Sequence, residues 1–248
     1  MSERLSLDSF WHSAPSADTV FSSALIANLP DIAKRYFIHT IAPGTRLARA
    51  VRLRMHGEIK LGTWGSFRAQ EVIRSDRGLI WQAVVRMKGL PVSGYDRFLD
   101  GAGEMRWKLL GLIPIIRASG ADITRSAAGR FAAESVWLPS LLLAPDVSWT
   151  VADSNVVRVT LNVNGQAAEM EFVMDESGCL RNMTMQRWGN PEGGQFHRAS
   201  FGAIVEDEST FGGYTIPTKL RIGWYFGTQR FEAEGEFFRC TIDDAAFR

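Results

Sequence analysis

Alternation of apolar and polar side chains with a period of two residues covers much of this chain and most constrains its fold. Residues 79–88 are apolar at nearly every second position, and residues 157–163 repeat the pattern up to Asn164-Gly165. The Asn-Gly pair is a strong signal for a two-residue hairpin turn, and residues 168–174 alternate again after it. Such alternation between tight turns indicates an antiparallel sheet with one buried face and one solvated face.

Further segments extend this sheet. Residues 220–226 alternate up to Gly227-Thr228, which we interpret as another two-residue turn, and the chain returns through residues 230–242. Weaker strands fit the segments 46–56, 64–74, 94–100, 103–110, 146–152, 179–188 and 196–206. The pattern predicts a mainly β fold, namely a single long, curved antiparallel sheet or half-barrel of about 10–12 strands.

Two segments break the alternation and predict helices. In residues 18–40, Asp18 is a suitable cap for a first short helix, and Pro30 is suited to start a second one. Residues 121–138 are rich in Ala and lack β-branched runs, and Pro139 follows them as a stop signal. We expect both helical segments to pack on the concave face of the sheet.

Composition and charge exclude several classes of protein. The chain has 28 Lys and Arg against 27 Asp and Glu, and 46% of its residues are apolar, which excludes a disordered chain. Residues 1–130 carry a charge balance of +8 and residues 131–248 a balance of −7. The basic residues near the start of the sheet do not alternate with aromatic ones, so we expect no nucleic-acid partner. The pattern divides the chain into an N-terminal tail, residues 1–16, and one β-rich domain, residues 17–248.

The sequence also bears on the cellular compartment. Two cysteines, Cys179 and Cys240, do not make a disulfide framework, so we expect free thiols. The N-terminus lacks the basic region and apolar run of a signal peptide. The longest apolar run, LLGLIPII at residues 109–116, is far too short to span a membrane. We therefore expect a cytoplasmic protein without a membrane span.

The motifs of common catalytic sites are absent from the sequence. It has no nucleophile elbow, no phosphate-binding loop and no glycine pattern for dinucleotides. The histidines are His12, His39, His56 and His197, which do not pair at metal-ligand spacing, and neither cysteine lies in a CxxC motif. The sequence predicts no metal site and no cofactor, and it identifies no catalytic residue.

Three charged residues stand out because they share apolar faces. In the predicted helix, Arg130 and Glu134 lie four residues apart on a stripe that also holds Trp137. Glu71 lies on the inward face of a predicted strand and needs a partner, for which Arg49 is a candidate. Each group is either an internal ion pair that anchors the fold, which is the more common case, or the polar end of a ligand-binding cavity.

Tryptophan is frequent in this chain, which has eight such residues. Trp64, Trp81 and Trp107 fall on predicted strands of the first half of the sheet, and Trp137 falls on the helix that we place over it. These side chains either fill a core or form the wall of a pocket for an apolar ligand. A sheet of about eleven strands curls, so its concave side offers space for such a pocket.

Several segments together resemble a bacterial protein family of unknown function. Its members carry an R-Y-L segment, then W-x-x-F-x-A, then G-R-Y-x-A-E-x-x-W-x-P-S and a late G-G-x-x-I-P. The matching segments are LPDIAKRYF at 29–37, WGSFRAQE at 64–71, DRFLDGAGEM at 96–105, GRFAAESVWLPSLLL at 129–143, the Arg187-Trp188 pair and FGGYTIP at 211–217. The order of sheet and helices also resembles the half-barrel of periplasmic lipoprotein carriers. The resemblance implies a fold and transfers no catalytic role.

Three functions stay open on the sequence alone. The favoured one is binding of an apolar or lipid-like small molecule in an aromatic-lined cavity, with seven candidate ligand-binding residues: Arg130, Glu134, Trp137, Glu71, Trp64, Trp81 and Trp107. The second is a hydrolase or isomerase that uses Glu134 or Glu71 as general acid or base. The third is a scaffold for protein interactions.

Overall fold

Thirteen antiparallel strands form one open, curved sheet in the computed structural model, which describes residues 6–16 and 18–248. The strands are β1 (Ala50–Leu61), β2 (Thr63–Arg74), β3 (Gly78–Met87), β4 (Leu90–Leu99), β5 (Ala102–Leu109), β6 (Ile113–Ser119), β7 (Ser148–Asp153), β8 (Val156–Val163), β9 (Gln166–Met174), β10 (Leu180–Gly189), β11 (His197–Phe211), β12 (Tyr214–Trp224) and β13 (Glu236–Phe247). Their order across the sheet is β6-β5-β4-β3-β2-β1-β13-β12-β11-β10-β9-β8-β7.

Two meanders make up this sheet. Strands β1 to β6 pair consecutively in one half, strands β7 to β13 pair consecutively in the other, and the pairing of β1 with β13 joins the halves. The strands of the first half come from the part of the sequence with excess positive charge, and those of the second half from the part with excess negative charge. The two charge blocks of the sequence therefore lie side by side in one sheet.

The connection from β6 to β7 links the opposite edges of the sheet across its concave face. It consists of α3 (Ala121–Ala133) and two short 3₁₀ helices, Glu134–Trp137 and Pro139–Leu143. We call residues 121–143 the crossing segment. Its helix packs on β4, β5 and β10, so it lies over strands from both halves of the sheet.

Helix α2 (Asp31–Thr40) covers another part of the concave face. It starts directly after Pro30, and its carboxylate at Asp31 lies in the first turn, where it favours the helix dipole. Its buried side chains recur with helical spacing, and Tyr36 and Phe37 pack against the ring of Trp149 at centroid distances of 5.7 and 5.1 Å. This aromatic group joins α2 to the second half of the sheet.

The short helix α1 (Leu7–His12) lies on the convex face. Ser6 caps its N-terminus, and Phe10 is fully buried against Val72 and Ile80. Val72 alternates with concave-facing neighbours on β2, so its side chain points to the opposite side of the sheet. The helix falls within the segment that the sequence analysis assigned to a tail. None of the helices in the described part of the chain has the length and apolarity that a bilayer crossing requires.

The predicted fold class is confirmed, and so are its clearest hairpins. Asn164 and Gly165 adopt positive φ angles of 53° and 74° between β8 and β9, and Asp100 and Gly101 do the same between β4 and β5. The helix predicted to end at 138 is α-helical only to Ala133 and then tightens into 3₁₀ geometry. The proline at 139 explains this change, because it disfavours α-helical geometry in the residues before it.

Other details of the prediction are wrong. The sheet has thirteen strands because residues 113–119 form the edge strand β6, which the sequence pattern did not reveal. The first helix predicted after Asp18 is only a 3₁₀ helix, Ser23–Ile26. Gly227-Thr228 is not a two-residue turn, since an eleven-residue connection with a π-helical turn, Phe231–Gly235, separates β12 from β13.

Candidate functional site

A cavity of about 350 Å³ lies between the crossing segment and the concave face of the sheet. Its wall is mainly apolar and combines both halves of the sheet with the inner side of the crossing segment. The apolar lining residues are Met55, Ile59, Leu61, Leu79, Trp81, Met105, Ile123, Ala127, Ala133, Val136, Trp137, Leu180, Met183, Phe196, Phe201, Ala203, Val205, Leu220, Ile222, Trp224, Phe237 and Phe238. Ionisable side chains lie among them and carry the chemistry of the site.

The floor of the cavity holds a row of three polar and aromatic side chains. Glu71 on β2 pairs in register with Trp81 on β3, and Trp81 pairs with Asp96 on β4. Directly paired residues of an antiparallel sheet point to the same face, so two acids flank an indole on the concave side. The indole N–H of Trp107 donates to Oδ1 of Asp96 at 2.8 Å and fixes that carboxylate.

The guanidinium of Arg130 lies above this row. It lies 5.0 Å from the centre of the Trp81 ring, with Nη1 3.1 Å from Asp96 and Nη2 3.3 Å from Glu71. Its Nε donates to Oε1 of Glu134, one helical turn later on the chain, at 2.6 Å. One cation therefore contacts three carboxyl groups and one aromatic face. Although burial disfavours its charge, the three acids hold the pKa of Arg130 above its ordinary value.

Glu71 is the least accessible of these acids, with no exposed surface. Burial and the negative charge of Glu134 raise the pKa of Glu71 well above its ordinary value of 4.5, against the opposing effect of Arg130. Burial also raises the pKa of Asp96. A protonated Glu71 carboxyl is both a hydrogen-bond donor and an acceptor.

Arg187 on β10 adds another cation to the cavity wall, which also holds Arg97 paired with Glu104. Its Nε and Nη2 donate to the carbonyl oxygen of Ser126, and its guanidinium lies 4.6 Å from the Phe201 ring and 5.3 Å from the Trp224 ring. Burial and the charge of Arg130 lower the pKa of Arg187 to about 10, so it stays protonated at neutral pH. Gly129 permits this close packing, because a Cβ there would lie 3.1 Å from Cγ of Arg187.

Charge balance supports a proton on Glu71. Two arginines face three acids in this site, so an ionised Glu71 would leave one excess negative charge in a poorly solvated place. A neutral Glu71 removes that excess. Among the described residues, no carboxylate lies within ion-pair distance of Arg187, so its charge is available to a ligand.

Three buried polar atoms of the cavity wall lack a hydrogen-bond partner within the described part of the chain. They are Oε2 of Glu71, Oε2 of Glu134 and the indole nitrogen of Trp81. Buried polar atoms in proteins are nearly always paired, and an unpaired one costs about 1–3 kcal/mol. An acceptor on Glu134, the N–H of Trp81 and the protonated carboxyl of Glu71 therefore cluster next to Arg130 in the cavity wall.

The structure brings most of the predicted site residues together. Arg130, Glu134, Trp137, Glu71 and Trp81 all line the cavity. The predicted pair of Arg130 and Glu134 is present, and Trp137 is fixed by an indole hydrogen bond to the carbonyl oxygen of Pro217 at 3.0 Å. The two charged groups that the sequence analysis treated separately form one network around a single guanidinium.

Three sequence-based expectations need correction. Trp64 lies on the convex face, with its ring 4.5 Å from the guanidinium of Arg239, because it has the opposite strand parity from Glu71. Trp107 is buried behind Asp96 and does not line the cavity. Arg49 is exposed, and Glu71 pairs with Arg130 instead.

The sequence analysis also missed residues that the cavity uses. Asp96 entered the sequence analysis only as part of the 96–105 segment of the family resemblance, and its place in the row depends on strand register. Arg187 lies at every second position from Met183 and Met185 on β10, so its side chain points to the same face as theirs. The alternation in the sequence therefore already indicated an inward-facing arginine. Trp224 and Phe238 belong to apolar faces whose role in a cavity requires the β1–β13 pairing.

Comparison with known proteins finds two similar structures and one matching family. A crystal structure of a domain from Vibrio parahaemolyticus, described as belonging to an outer membrane lipoprotein-sorting protein, matches with a TM-score of 0.44 and 9% identity over 88% of this chain and 91% of that one. A LolA superfamily protein from Nitrosomonas europaea matches with a TM-score of 0.43 and 9% identity over 88% of this chain and 92% of that one. No curated protein shows significant sequence similarity. The profile of the family of unknown function DUF6544 matches residues 19–234, and the chain belongs to that family.

Proposed function

We propose that this protein binds an amphipathic small molecule, with an apolar body and an oxygen-bearing polar end, in the cavity beneath the crossing segment. One observation carries the proposal: an apolar-lined space of about 350 Å³ contains unpaired buried polar atoms at one place on its wall. Cavities of this size are typical of small-molecule sites, which combine an apolar lining with a few polar groups.

The polar residues define the polar end of such a ligand. Arg187 and the Trp81 indole offer N–H donors to a carboxylate, phosphate or carbonyl oxygen. The free oxygen of Glu134 can accept a hydrogen bond from a ligand hydroxyl, and the protonated carboxyl of Glu71 can donate one. A ligand with these groups would remove the desolvation cost of the unpaired atoms, which makes the polar end specific.

The apolar residues define its body. On β1 the lining continues from Met55 through Ile59 to Leu61, away from the charged row and toward the β1–β2 turn. Phe238 pairs in register with Ile59 and lines the same region. A chain of methylene groups that runs along this wall would gain about 0.8 kcal/mol for each buried group.

Filling the cavity tests the proposal. Ala127 lines the cavity on α3, and Ala121 is exposed at the start of the same helix, so Ala127→Phe and Ala121→Phe form a matched pair. A fluorescent dansyl fatty acid should bind the wild type and Ala121→Phe saturably, and Ala127→Phe should bind about tenfold more weakly or worse. Equal affinities in all three proteins, or no saturable binding to the wild type, would refute the proposal. Mass spectrometry of an organic extract of the purified protein gives an independent identification of a native ligand.

A further inference from the structure

Three hairpin turns of the first half of the sheet lie at one edge of the molecule. They join β1 to β2, β3 to β4 and β5 to β6, and alternate turns of a meander necessarily fall at the same end of its strands. The second and third turns are in contact, since the N–H of Leu110 donates to the carbonyl oxygen of Pro91 at 2.9 Å. We call residues 60–63, 86–91 and 108–114 the tip edge.

The three turns of the tip edge share a composition. Each pairs a lysine with a leucine beside a glycine, as Lys60-Leu61-Gly62, Lys88-Gly89-Leu90 and Lys108-Leu109-Leu110-Gly111-Leu112. These segments hold three of the five lysines of the chain, together with Arg86, and contain no acidic residue. The turns at the opposite end of the same strands differ, since Asp76 and Asp100 there form ion pairs with Arg74 and Arg77.

The leucines of the tip edge point into solvent. Leu61, Leu90 and Leu110 are each about half exposed, and Leu112 is 79% exposed. The edge strand β6 continues this apolar surface with Ile113, which is 55% exposed. An apolar surface of this kind on a soluble fold marks an interaction site, and a turn places its side chains at the outermost point of the molecule.

We propose that the tip edge docks onto the surface of an anionic lipid bilayer. The leucines of the three turns would enter the interfacial region, while Lys60, Lys88, Lys108 and Arg86 would contact the lipid phosphates. Charge complementarity favours a bilayer over a protein groove, because the three turns together carry four cations and no acid among their own residues. Each basic residue near such a surface contributes on the order of 1 kcal/mol.

The docking surface is continuous with the cavity. Leu61 belongs both to the exposed tip edge and to the apolar lining, and Ile59 follows it inward on the same face of β1. A bound bilayer would therefore lie next to the apolar end of the cavity, about eight residues or ~26 Å along the strand from Glu71. This inference rests on the proposed function, and it specifies a membrane as the source or destination of the ligand.

Vesicle sedimentation tests the docking surface. The wild type should co-sediment with vesicles of equal parts phosphatidylglycerol and phosphatidylcholine and much less with phosphatidylcholine alone, and salt should weaken binding. Leu112→Ser should reduce binding several-fold, whereas Ile38→Ser, an equally apolar exposed position on α2, should not. The triple change of Lys60, Lys88 and Lys108 to Glu should abolish it, and the double change of Lys34 and Lys219 to Glu should not.

Several outcomes separate this proposal from its alternatives. A wild type that ignores anionic vesicles, or tip-edge variants that bind as well as the wild type, would overturn it. Self-association that Leu112→Ser removes, without vesicle binding, would assign the surface to a protein partner instead. Dansyl fatty acid binding in solution tests the cavity separately, so tip-edge variants should retain it while Ala127→Phe loses it.

A second site rests on an independent cluster of side chains. His39 in the last turn of α2, Cys179 before β10 and Glu208 on β11 bring three ligand atoms within 4.8 Å of one another. Nε2 of His39 lies 2.6 Å from Oε1 of Glu208, and Sγ of Cys179 lies 3.1 Å from Oε2 of the same residue. Imidazole, thiolate and carboxylate are the three protein ligands of zinc, whose bonds of about 2.0–2.3 Å require ligand atoms this close together.

We infer that this cluster binds a zinc-like transition metal ion with one position left for water or another ligand. Cobalt(II) tests it, because a cobalt–thiolate bond adds a near-ultraviolet charge-transfer band. The band should appear with the wild type and with Cys240→Ser, disappear with Cys179→Ser and weaken with His39→Asn, and zinc should displace it. A wild type without the band, or a band that Cys179→Ser leaves unchanged, would refute the site. Circular dichroism checks that each variant is folded.

Discussion

Oε1 of Glu71 lies 3.3 Å from Nη2 of Arg130, so a fully buried acid on β2 is in contact with a guanidinium of the helix that crosses the sheet. This contact connects the floor of the cavity to its roof. It also sets the protonation of the site, because Arg130 is shared with Asp96 and Glu134 and cannot fully compensate Glu71.

The raised pKa of Glu71 predicts a specific dependence of stability on pH. Above the ordinary pKa of 4.5 the unfolded chain releases the Glu71 proton while the folded protein keeps it, so this group's contribution to stability falls as pH rises through that window. Glu71→Gln mimics the protonated acid and removes the loss. Denaturant unfolding at several pH values measures the free energies of unfolding of Glu71→Gln and of the wild type. The variant's value minus the wild-type value should increase by up to about 1.4 kcal/mol for each pH unit above 4.5. A constant difference would show that Glu71 is ionised in the folded protein.

Substitution of Arg130 should lower the free energy of unfolding more than substitution of any one of the acids that contact it. Arg130→Met leaves three carboxyl groups without their shared cation and should destabilise the protein by about 3–5 kcal/mol. Glu134→Gln should cost less, because Asp96 and Glu71 still contact the guanidinium. Arg230→Met, which removes an exposed pair with Glu234, is the control and should change stability by less than about 1 kcal/mol. Equal effects of Arg130→Met and Arg230→Met would contradict the network.

Arg187 should select the charge of the ligand. Arg187→Met should weaken binding of a dansyl fatty acid and leave binding of the corresponding neutral alcohol nearly unchanged, because the guanidinium has no acid partner in the described structure. Charged hydrogen bonds contribute about 1.5–3 kcal/mol, so we expect the acid to lose about tenfold or more in affinity. Arg125→Met, a neighbour that lies 3.9 Å from the Trp188 ring and does not line the cavity, should bind both probes like the wild type. Parallel losses for both probes would indicate a purely structural role.

The convex-face helix should contribute to global stability. Phe10→Ala should destabilise the protein by about 3–5 kcal/mol, since the ring is fully buried and also lies 5.0 Å from the guanidinium of Arg74. Trp11→Ala removes a partly exposed neighbour and should cost clearly less. Denaturant unfolding measures both changes. If Phe10→Ala unfolds at the same denaturant concentration as the wild type, the packing of α1 contributes little to the free energy of unfolding.

The fold was accessible to sequence reasoning because alternation and turn chemistry are local properties. Asn164-Gly165 and the 121–133 helix follow from neighbouring residues alone. The edge strand β6 was missed because exposed apolar residues at Ile113 and Ile115 do not alternate with polar ones. That departure from the pattern coincides with the surface that we assign to lipid contact.

The candidate site was only partly accessible for a related reason. Helical spacing places Arg130 beside Glu134, but the contact with Asp96 depends on the register of β3 with β4 and on where the helix crosses these strands. Trp64 and Glu71 lie an odd number of residues apart on β2, so alternation along the strand places Trp64 on the face away from the cavity. Trp64 was named as a site residue only because it is a tryptophan. The cluster around Glu208 joins residues 39, 179 and 208, and no linear motif represents such spacing.

Pairing of β1 with β13 has a consequence for the order in which the cavity forms. Val51 pairs with Phe247, so this pairing brings together the two ends of nearly the whole chain and carries the largest loop-closure entropy in the sheet. Each meander can form from nearby residues, but the wall around Ile59 and Phe238 exists only after the ends have met. During synthesis this part of the cavity wall therefore cannot form until β13 has left the ribosome. A ligand that needs this part of the wall can bind only after β1 and β13 have paired.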